Sequence, residues 1–192
     1  MQSWQAYYEA TKDLPHSPLL EMAVTCCLRG KQRALDLGAG AMRDSIYLMR
    51  QGFHVSAVDK NPPPIRLQEL AQTERLVHVQ SAFEGFDFPQ GRFDLVNAQY
   101  ALPFVPRRSF DRVWQKLVAS LAPGGVFVGQ MFGDRDEWSA TESSMTFHSA
   151  DAARADLKSL DLLSWREQEG KGHLASGKPK YWHAFHIIAR KP

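Results

Sequence analysis

Short apolar runs alternate with segments of helical periodicity along this chain. The runs predict buried strands, because they are brief and are bounded by glycine, proline or acidic residues. The predicted strands are 34–37, 53–58, 76–80, 93–98, 126–131, 162–167 and 181–190. Between them, apolar side chains recur every third or fourth position, which predicts helices. The predicted helices begin near Trp4, Pro18, Asp44, Ile65, Phe110 and Ser149.

Strands that alternate with helices predict an α/β fold with a doubly wound sheet. We expect the sheet to be mostly parallel, with an antiparallel strand at its C-terminal end. Ser109 and Ser149 are predicted to cap two of the helices. Segments 133–145 and 169–180 are polar or rich in glycine and lysine, which predicts a mobile loop and a flexible hairpin connection. No repeat or linker interrupts the pattern, so we expect a single domain over 1–192.

The stretch 34–59 predicts a nucleotide-binding βαβ unit. Its first strand carries Asp36 and is followed by Gly38-Ala39-Gly40, where small residues let a ligand approach the backbone. A helical segment ended by Gly52 leads to the second strand, which stops at Asp59. An acid at this place is positioned to bind the hydroxyl groups of a ribose.

Charge near the glycine turn distinguishes two cofactor classes. A dinucleotide places its pyrophosphate over the turn and the helix N-terminus, where Asp36 and Asp44 would repel it. Arg43 also occupies the sixth position of the GxGxxG pattern, where glycine allows helix and strand to pack closely. The two acids suit a ligand that is cationic near the turn. An NAD(P)-dependent oxidoreductase, or an ordinary βα turn, remains an alternative at this point.

The segment Asp36-Leu37-Gly38-Ala39-Gly40, with Asp59 closing the second strand, resembles the cofactor motif of class I S-adenosylmethionine-dependent methyltransferases. The resemblance implies a Rossmann-like methyltransferase sheet, S-adenosyl-L-methionine as cofactor and S-adenosyl-L-homocysteine as product. The segment 121–125, Leu-Ala-Pro-Gly-Gly before a strand, resembles the same class. Two residues depart from the class pattern, since Met42 replaces a frequent third glycine and Ser81 replaces an acid that often contacts the adenine.

The candidate site follows from this resemblance and from the strand ends at the carboxyl edge of the sheet. The expected cofactor-binding residues are Asp36, Gly38, Ala39, Gly40, Asp44, Asp59, Lys60, Ala82, Phe83 and Asn97. The expected substrate residues are Tyr8, His16, Arg43 and His148, and Tyr100 is the candidate to face the methyl group. Methyl transfer from a sulfonium depends mainly on holding the reactants aligned, so no catalytic residue is required.

Within the class, the chain looks most like the tellurite-resistance methyltransferases. The segments that carry this resemblance are Pro15-His16-Ser17, Arg43-Asp44-Ser45, Asp59-Lys60-Asn61 and Ala189-Arg190-Lys191. It implies a small-molecule substrate, either an oxyanion such as tellurite or selenite or a related soft nucleophile. Residues 1–30 are then interpreted as a helical lid, because aromatic side chains before the first strand can close over a sulfonium by cation–π contact.

Composition limits the remaining possibilities. A formal net charge of +2 is too small to predict a nucleic-acid partner, and no apolar stretch approaches the ~20 residues that span a bilayer. We expect a cytoplasmic monomer or homodimer, and no metal site, because the histidines are scattered and His183 and His186 should face opposite sides of one strand. A non-catalytic S-adenosylmethionine sensor stays open. A methyltransferase acting on protein or RNA is disfavoured, because no basic stripe or added recognition domain is evident.

Overall fold

The alternating apolar pattern folds into a twisted sheet covered by helices. A computed structural model describes residues 4–27, 30 and 32–192 of the protein. The helices there are α1 Trp4–Thr11, α2 Pro18–Cys26, α3 Arg43–Arg50, α4 Arg107–Ser120 and α5 Ala150–Asp156. The strands are β1 Arg33–Leu37, β2 His54–Asp59, β3 Gln72–Thr73, β4 Leu76–Gln80, β5 Phe93–Ala98, β6 Leu121–Gly133, β7 Phe147–His148, β8 Asp161–His173 and β9 Pro179–Arg190.

The strand order across the described part of the sheet is β3-β4-β2-β1-β5-β6-β9-β8, and β7 pairs with β6. Strands β4, β2, β1, β5 and β6 are parallel to their neighbours in this series, whereas β9 is antiparallel to both β6 and β8. The prediction of a mostly parallel α/β sheet with an antiparallel C-terminal strand is therefore confirmed. Because β1 is central, its carboxyl end lies at the middle of the functional edge.

The two faces of the sheet are buried under different helices. On one face, Leu35 and Leu37 of β1 belong to the same core cluster as Phe110 of α4. On the other face, Ala34 clusters with Leu20 of α2 and with residues of α3. This division follows from the alternation of side chains along a strand. Full burial of each large apolar side chain contributes about 1.5–3 kcal/mol.

The predicted helix from Ile65 to Arg75 is wrong. The segment contains only a single turn of 3-10 helix, Ile65–Leu67, followed by β3, which pairs with β4. Ile65 is 87% exposed, so this stretch lacks the continuous buried stripe that stabilises a surface helix.

The prediction that Ser109 caps α4 is also wrong, because the helix begins at Arg107 after Pro106. Ser149 does cap α5, since its hydroxyl accepts from the Ala152 backbone N–H at 3.2 Å.

Segments 133–145 and 169–180 are more ordered than their composition suggests. The first contains a 3-10 turn, Glu137–Ala140, in which the buried Asp136 accepts from the Trp138 backbone N–H at 3.0 Å. The second is largely strand, because β8 and β9 remain paired out to His173 and Pro179. Backbone pairing continues through the glycines here, since a ladder needs no side chains.

The predicted lid segment, 1–30, includes residues 1–3 and 28–29, and the predicted second helix includes 28–29; these residues lie outside the described ones. Within the described ranges, no helix combines the length and the apolar character that a membrane crossing requires.

Candidate active site

A cleft of about 890 Å³ opens at the carboxyl edge of the sheet, between α1 and the β8–β9 hairpin. The structure brings most of the predicted site residues to its walls. These are Tyr8, Asp36, Gly38, Ala39, Gly40, Arg43, Asp44, Asp59, Lys60, Ala82, Phe83 and Tyr100. The cleft therefore joins the glycine turn after β1 to the ends of β2, β4 and β5, as the open α/β topology predicts.

The turn after β1 is tight because its backbone is tied to β2. The N–H groups of Gly38 and Ala39 donate to the Val58 carbonyl at 2.8 and 3.2 Å. Gly38 has a φ of +74°, and a Cβ there would lie 2.8 Å from the Cβ of Ala101. Met42 has a φ of +60° and keeps the left-handed backbone that a third glycine would favour. Its side chain is fully buried, which offsets the strain of that conformation.

Asp59 is the hydrogen-bonding centre of this part of the cleft. One of its carboxylate oxygens accepts from the Gly40 N–H at 3.0 Å. The other accepts from the Asn61 N–H at 2.9 Å and from the Tyr8 hydroxyl at 2.9 Å. The Tyr8 ring also lies over Gly40, where a Cβ would come within 3.0 Å of the ring. Burial and the charge of Asp59 raise the pKa of Tyr8 above its usual value, so the hydroxyl stays a donor.

Asp36 and Asp44 are held together by amide and hydroxyl donors. Asp36 accepts from the Ser45 hydroxyl at 2.5 Å and from the Asn97 side-chain amide at 2.8 Å. The same amide nitrogen lies 3.2 Å from Asp44, which also accepts from the Ser17 N–H at 2.9 Å. Burial and the nearby charge of Asp44 raise the pKa of Asp36 to about 7. Asn97 is fully buried and does not line the cleft; it links the two carboxylates from behind.

A chain of side-chain amides leads from this carboxylate pair to the other end of the cleft. Gln99 donates to the Asn97 carbonyl oxygen at 2.9 Å, and Gln130 donates to Gln99 at 2.8 Å. The Gln130 carbonyl oxygen accepts from the Tyr100 N–H at 2.8 Å. Its amide nitrogen also lies 3.4 Å from His186 Nδ1. The chain thus crosses from β5 through β6 to β9.

The far end of the cleft is aromatic. The ring centroids of Tyr100, Phe132 and Trp182 lie 5.7 to 6.1 Å apart, and Trp138 is 6.0 Å from Trp182. Lys180 lies beneath these rings, with its ammonium 3.8 Å from the Trp182 centroid. Both oxygens of the buried Asp136 accept from that ammonium, at 2.5 and 2.6 Å. The positive charge of Lys180 is therefore paired inside the protein.

Two residues predicted to touch substrate lie away from the cleft. The His16 ring stacks on Tyr47 with centroids 3.7 Å apart. His148 is 5% exposed and packs beside Phe110, with its Nε2 3.3 Å from Asp156. Burial lowers the pKa of His148 to about 4, so the side chain is neutral near pH 7. Neither His16 nor His148 lines the cleft.

The prediction missed several residues that line the cleft, mainly at its aromatic end. They include Trp4, Tyr7, Gln99, Ala101, Phe104, Phe132, Trp138, Trp182, His186 and the hairpin residues 168–176 and 178. Most carry no local motif, because they come from separate elements. The alternation along the last strand was the one usable signal, since it puts Trp182, Ala184 and His186 on one side.

Three potential metal ligands meet on the β8–β9 hairpin, namely Glu167, Glu169 and His183. The guanidinium of Arg135 lies among them and donates to Glu167 at 2.7 Å and to Glu169 at 2.8 Å. Hydrogen bonds from Arg135 lower the pKa of Glu169 to about 2. A cation in this group would have to displace the arginine side chain.

Residues 35–129, about half of the chain, match the methyltransferase domain family. This chain is a class I S-adenosylmethionine-dependent methyltransferase. Its cofactor is S-adenosyl-L-methionine, as in the related structures that contain S-adenosylhomocysteine. The family match does not favour the oxidoreductase alternative. Among curated proteins, none matches the sequence.

Solved structures show the same Rossmann-like methyltransferase fold. TehB from Haemophilus influenzae is 19% identical, with a TM-score of 0.74 over 99% of this chain and 68% of that one. The 1,6-didemethyltoxoflavin-N1-methyltransferase of Burkholderia thailandensis is 21% identical, with a TM-score of 0.68 over 97% and 84% of the two chains. The N-methyltransferase NodS from Bradyrhizobium japonicum WM9 is 14% identical, with a TM-score of 0.68 over 100% of both. At these sequence identities, the similarity of this methyltransferase to each solved structure shows a shared fold only.

Proposed function

We propose that this methyltransferase transfers a methyl group from S-adenosyl-L-methionine to a small molecule bound in the same cleft. The observation that carries the proposal is the division of the cleft. Its near end has a glycine turn and three carboxylates, and its far end has aromatic walls. The first suits a cationic nucleoside, and the second suits a compact organic acceptor.

The near end fits the cofactor by space and by charge. A Cβ at Gly38 would lie 2.8 Å from the Ala101 Cβ, and one at Gly40 would lie 3.0 Å from the Tyr8 ring, so glycine lets these neighbours pack closely around the turn. Asp59 can accept from ribose hydroxyls, while Asp36 and Asp44 supply negative charge near the cationic methionine moiety. Ala82 and Phe83 line the cleft and are the residues proposed to flank the adenine ring. When bound, the cofactor supplies an electrophilic methyl group on a positively charged sulfur.

The residues of the chain act mainly by holding the reactants in line. Tyr100 belongs to the aromatic end of the cleft and is the candidate to face the methyl group. Helix α1 is the proposed lid, which is supported by the hydrogen bond of the Tyr8 hydroxyl to Asp59 and by the Trp4 ring 4.8 Å from Phe104. Lys60 lies 5.2 Å from the Trp4 ring, which adds a cation–π contact to the lid. A closed lid would exclude water and restrict the acceptor to a small molecule.

A tellurite- or selenite-like oxyanion is one acceptor to test. The sequence resemblance to the tellurite-resistance type supports it, as does the structural likeness to TehB along 99% of this chain. Arg43 at the cleft wall is the cation proposed to contact such a substrate, although its guanidinium donates to the Pro15 carbonyl at 2.7 Å. An organic nucleophile at the aromatic end is the other acceptor.

Formation of S-adenosylhomocysteine across a panel of tellurite, selenite, thiols, phenols and heteroaromatic amines tests the proposed reaction. We expect turnover that depends on one acceptor class. Tight binding of S-adenosyl-L-methionine without product from any member of the panel would instead support a non-catalytic sensor.

Replacement of the ribose anchor tests the assignment of the cofactor. Asp59→Ala should weaken S-adenosyl-L-methionine binding by about 1–3 kcal/mol, the range for a lost hydrogen bond to a charged group. Calorimetry measures the change. Asp94→Ala is the matched control, because Asp94 also accepts from two backbone N–H groups, those of Gln32 and Arg33, but does not line the cleft. An unchanged affinity in Asp59→Ala would show that Asp59 is not the ribose anchor.

A further inference from the structure

His186 is a buried residue at the aromatic end of the cleft whose ring has one unsatisfied nitrogen. The residue is 5% exposed and belongs to the cleft wall. Its Nδ1 faces the Gln130 amide nitrogen at 3.4 Å. Its Nε2 is buried and finds no hydrogen-bond partner among residues 4–27, 30 and 32–192. Buried polar atoms are nearly always paired in native proteins, so the unpaired nitrogen needs a hydrogen-bond partner that the described residues do not supply, which a water or a ligand group would provide.

The neighbouring amide determines which nitrogen of His186 carries the proton. The Gln130 carbonyl oxygen accepts from the Tyr100 backbone N–H, which is always a donor. The other end of Gln130 is therefore its NH2 group, and this group donates to Gln99 and towards His186 Nδ1. Nδ1 is then an acceptor, and in a neutral imidazole the proton lies on Nε2. Burial and the nearby charge of Arg166 lower the pKa of His186 to about 4, which keeps the ring neutral.

The surroundings of His186 favour a flat and largely uncharged molecule. Tyr100 stands edge-on to the imidazole, with ring centroids 6.3 Å apart and an interplanar angle of 89°. Phe132 and Trp182 continue the apolar wall. The ammonium of Lys180 is already paired with Asp136, and stripping water from an anion against aromatic walls is unfavourable. An aromatic ring gains contact area at these walls with preferred stacked or edge-on geometry.

We propose that the methyl acceptor is a planar aromatic compound whose carbonyl oxygen or ring nitrogen accepts a hydrogen bond from His186 Nε2–H. This inference rests on the proposed methyl transfer and names its substrate class. His186 is then a specificity-determining residue that orients the acceptor, and the Gln99–Gln130 chain fixes its tautomer. The nucleophile is a separate hydroxyl or ring N–H of the same compound, which releases its proton to solvent. Its oxygen or nitrogen then forms the bond to the methyl carbon as the carbon–sulfur bond breaks, and S-adenosylhomocysteine leaves.

A matched pair of probes tests this assignment. Hydroxyquinolines and the corresponding naphthols have the same shape and the same hydroxyl, and differ by one ring nitrogen in place of a CH group. We expect a hydroxyquinoline to bind the complex with S-adenosylhomocysteine about threefold to tenfold more tightly than its naphthol, the range for one net hydrogen bond. Calorimetry of each series of positional isomers measures the preference.

Variants of His186 separate hydrogen bonding from packing. His186→Phe should abolish the preference for the ring nitrogen while retaining naphthol binding. His186→Gln, whose amide can still donate, should keep part of the preference. His54→Phe is the control. His54 is exposed and is the first residue of β2, at the edge of the sheet opposite to the cleft, so its replacement should leave the preference unchanged.

The possible results distinguish this inference from the function on which it rests. Equal binding of both probe series, or a preference that survives in His186→Phe, would overturn the role of His186. Methylation of tellurite or selenite without binding of any aromatic probe would overturn the substrate class and leave methyl transfer standing. Failure of the protein to bind S-adenosyl-L-methionine would contradict the proposed function itself, and with it the inference.

Discussion

The two ends of the cleft are built by different physical means. At the near end, Asp36, Asp44 and Asp59 each accept from two or more donors, and several donors are backbone N–H groups. At the far end, the walls are rings packed 5.7 to 6.4 Å apart with few polar contacts. The near end therefore offers a ligand directional hydrogen bonds with a fixed geometry, whereas the far end offers apolar contact area and a defined shape.

This difference explains how one cleft can bind both a cofactor that is common to the whole class and a methyl acceptor that is specific to one enzyme. A hydrogen-bonded turn tolerates few substitutions, because each donor or acceptor left unpaired in a buried site is costly. An aromatic wall can change its shape by exchanging one ring for another, at the cost of packing alone. Changes at the near end should consequently affect cofactor binding, and changes at the far end should affect the acceptor.

Among the substitutions that test this comparison, Gly38→Ala should have the largest effect on cofactor binding and stability. Gly38→Ala places a Cβ 2.8 Å from Ala101 at a φ of +74°, so it adds crowding to a conformation that costs an L-residue about 1–2 kcal/mol. We expect a lower melting temperature and about tenfold weaker binding of S-adenosyl-L-methionine, since a loss of about 1.4 kcal/mol is tenfold in affinity. Thermal unfolding and calorimetry measure the two quantities.

Gly52→Ala is the control for backbone strain. Gly52 has a φ of +93° but nothing within 4 Å of its Cβ position, and it lies outside the cleft. It should lose stability through strain alone and keep full cofactor affinity. Equal effects of the two substitutions on affinity would contradict the close approach of ligand and backbone at Gly38.

The same contrast explains how much the sequence could predict. Asp36, Gly38 and Asp59 lie within one βαβ unit, where order along the chain determines position at the sheet edge, and all three line the cleft as expected. His186 and Trp182 come from β9 and meet Tyr100 only through the pairing of β9 with β6, which no local pattern specifies. His148 illustrates the converse, because nothing in its immediate sequence shows that it packs beneath α4 rather than over the sheet edge.

A smaller effect is expected from the titration of Asp36. Its pKa is about 7 in the folded protein, against about 3.9 in an unfolded chain, so the folded state holds the extra proton between these values. Its stabilising contribution is complete below about pH 4 and is lost as the pH rises through 7. Asp36→Asn should lack this fall in stability. Denaturant unfolding at pH 5, 6, 7 and 8 measures the difference between the two proteins.

Cofactor binding should follow the opposite trend with pH. A cationic ligand favours the ionised form of Asp36, so S-adenosyl-L-methionine should bind more tightly at pH 8 than at pH 6 and should release a proton on binding. Calorimetry in two buffers of different ionisation enthalpy detects that proton. The Asn variant should show neither effect. A pH dependence that persists in this variant would assign the titration to another group.

The smallest effect concerns the lid, which touches both ends of the cleft. The Tyr8 hydroxyl donates to the Asp59 oxygen at 2.9 Å and accepts from Asn61 at 3.0 Å, so it occupies an acceptor that a ribose hydroxyl would use. Tyr8→Phe removes this competitor and should tighten cofactor binding a few-fold, consistent with one net hydrogen bond of about 1 kcal/mol. Acceptor affinity should not change, because the removed group contacts only the near end.

Tyr7→Phe provides the matched control on the same helix, since the Tyr7 ring adjoins Tyr8 but only Tyr8 has a hydroxyl bonded to Asp59. Its cofactor affinity should equal that of the unmodified protein. Weaker binding in Tyr8→Phe would mean that the hydroxyl helps to hold the ribose rather than competing with it. The lid would then belong to the hydrogen-bonded end of the cleft, and the contact of Trp4 with Phe104 would connect it to the aromatic end.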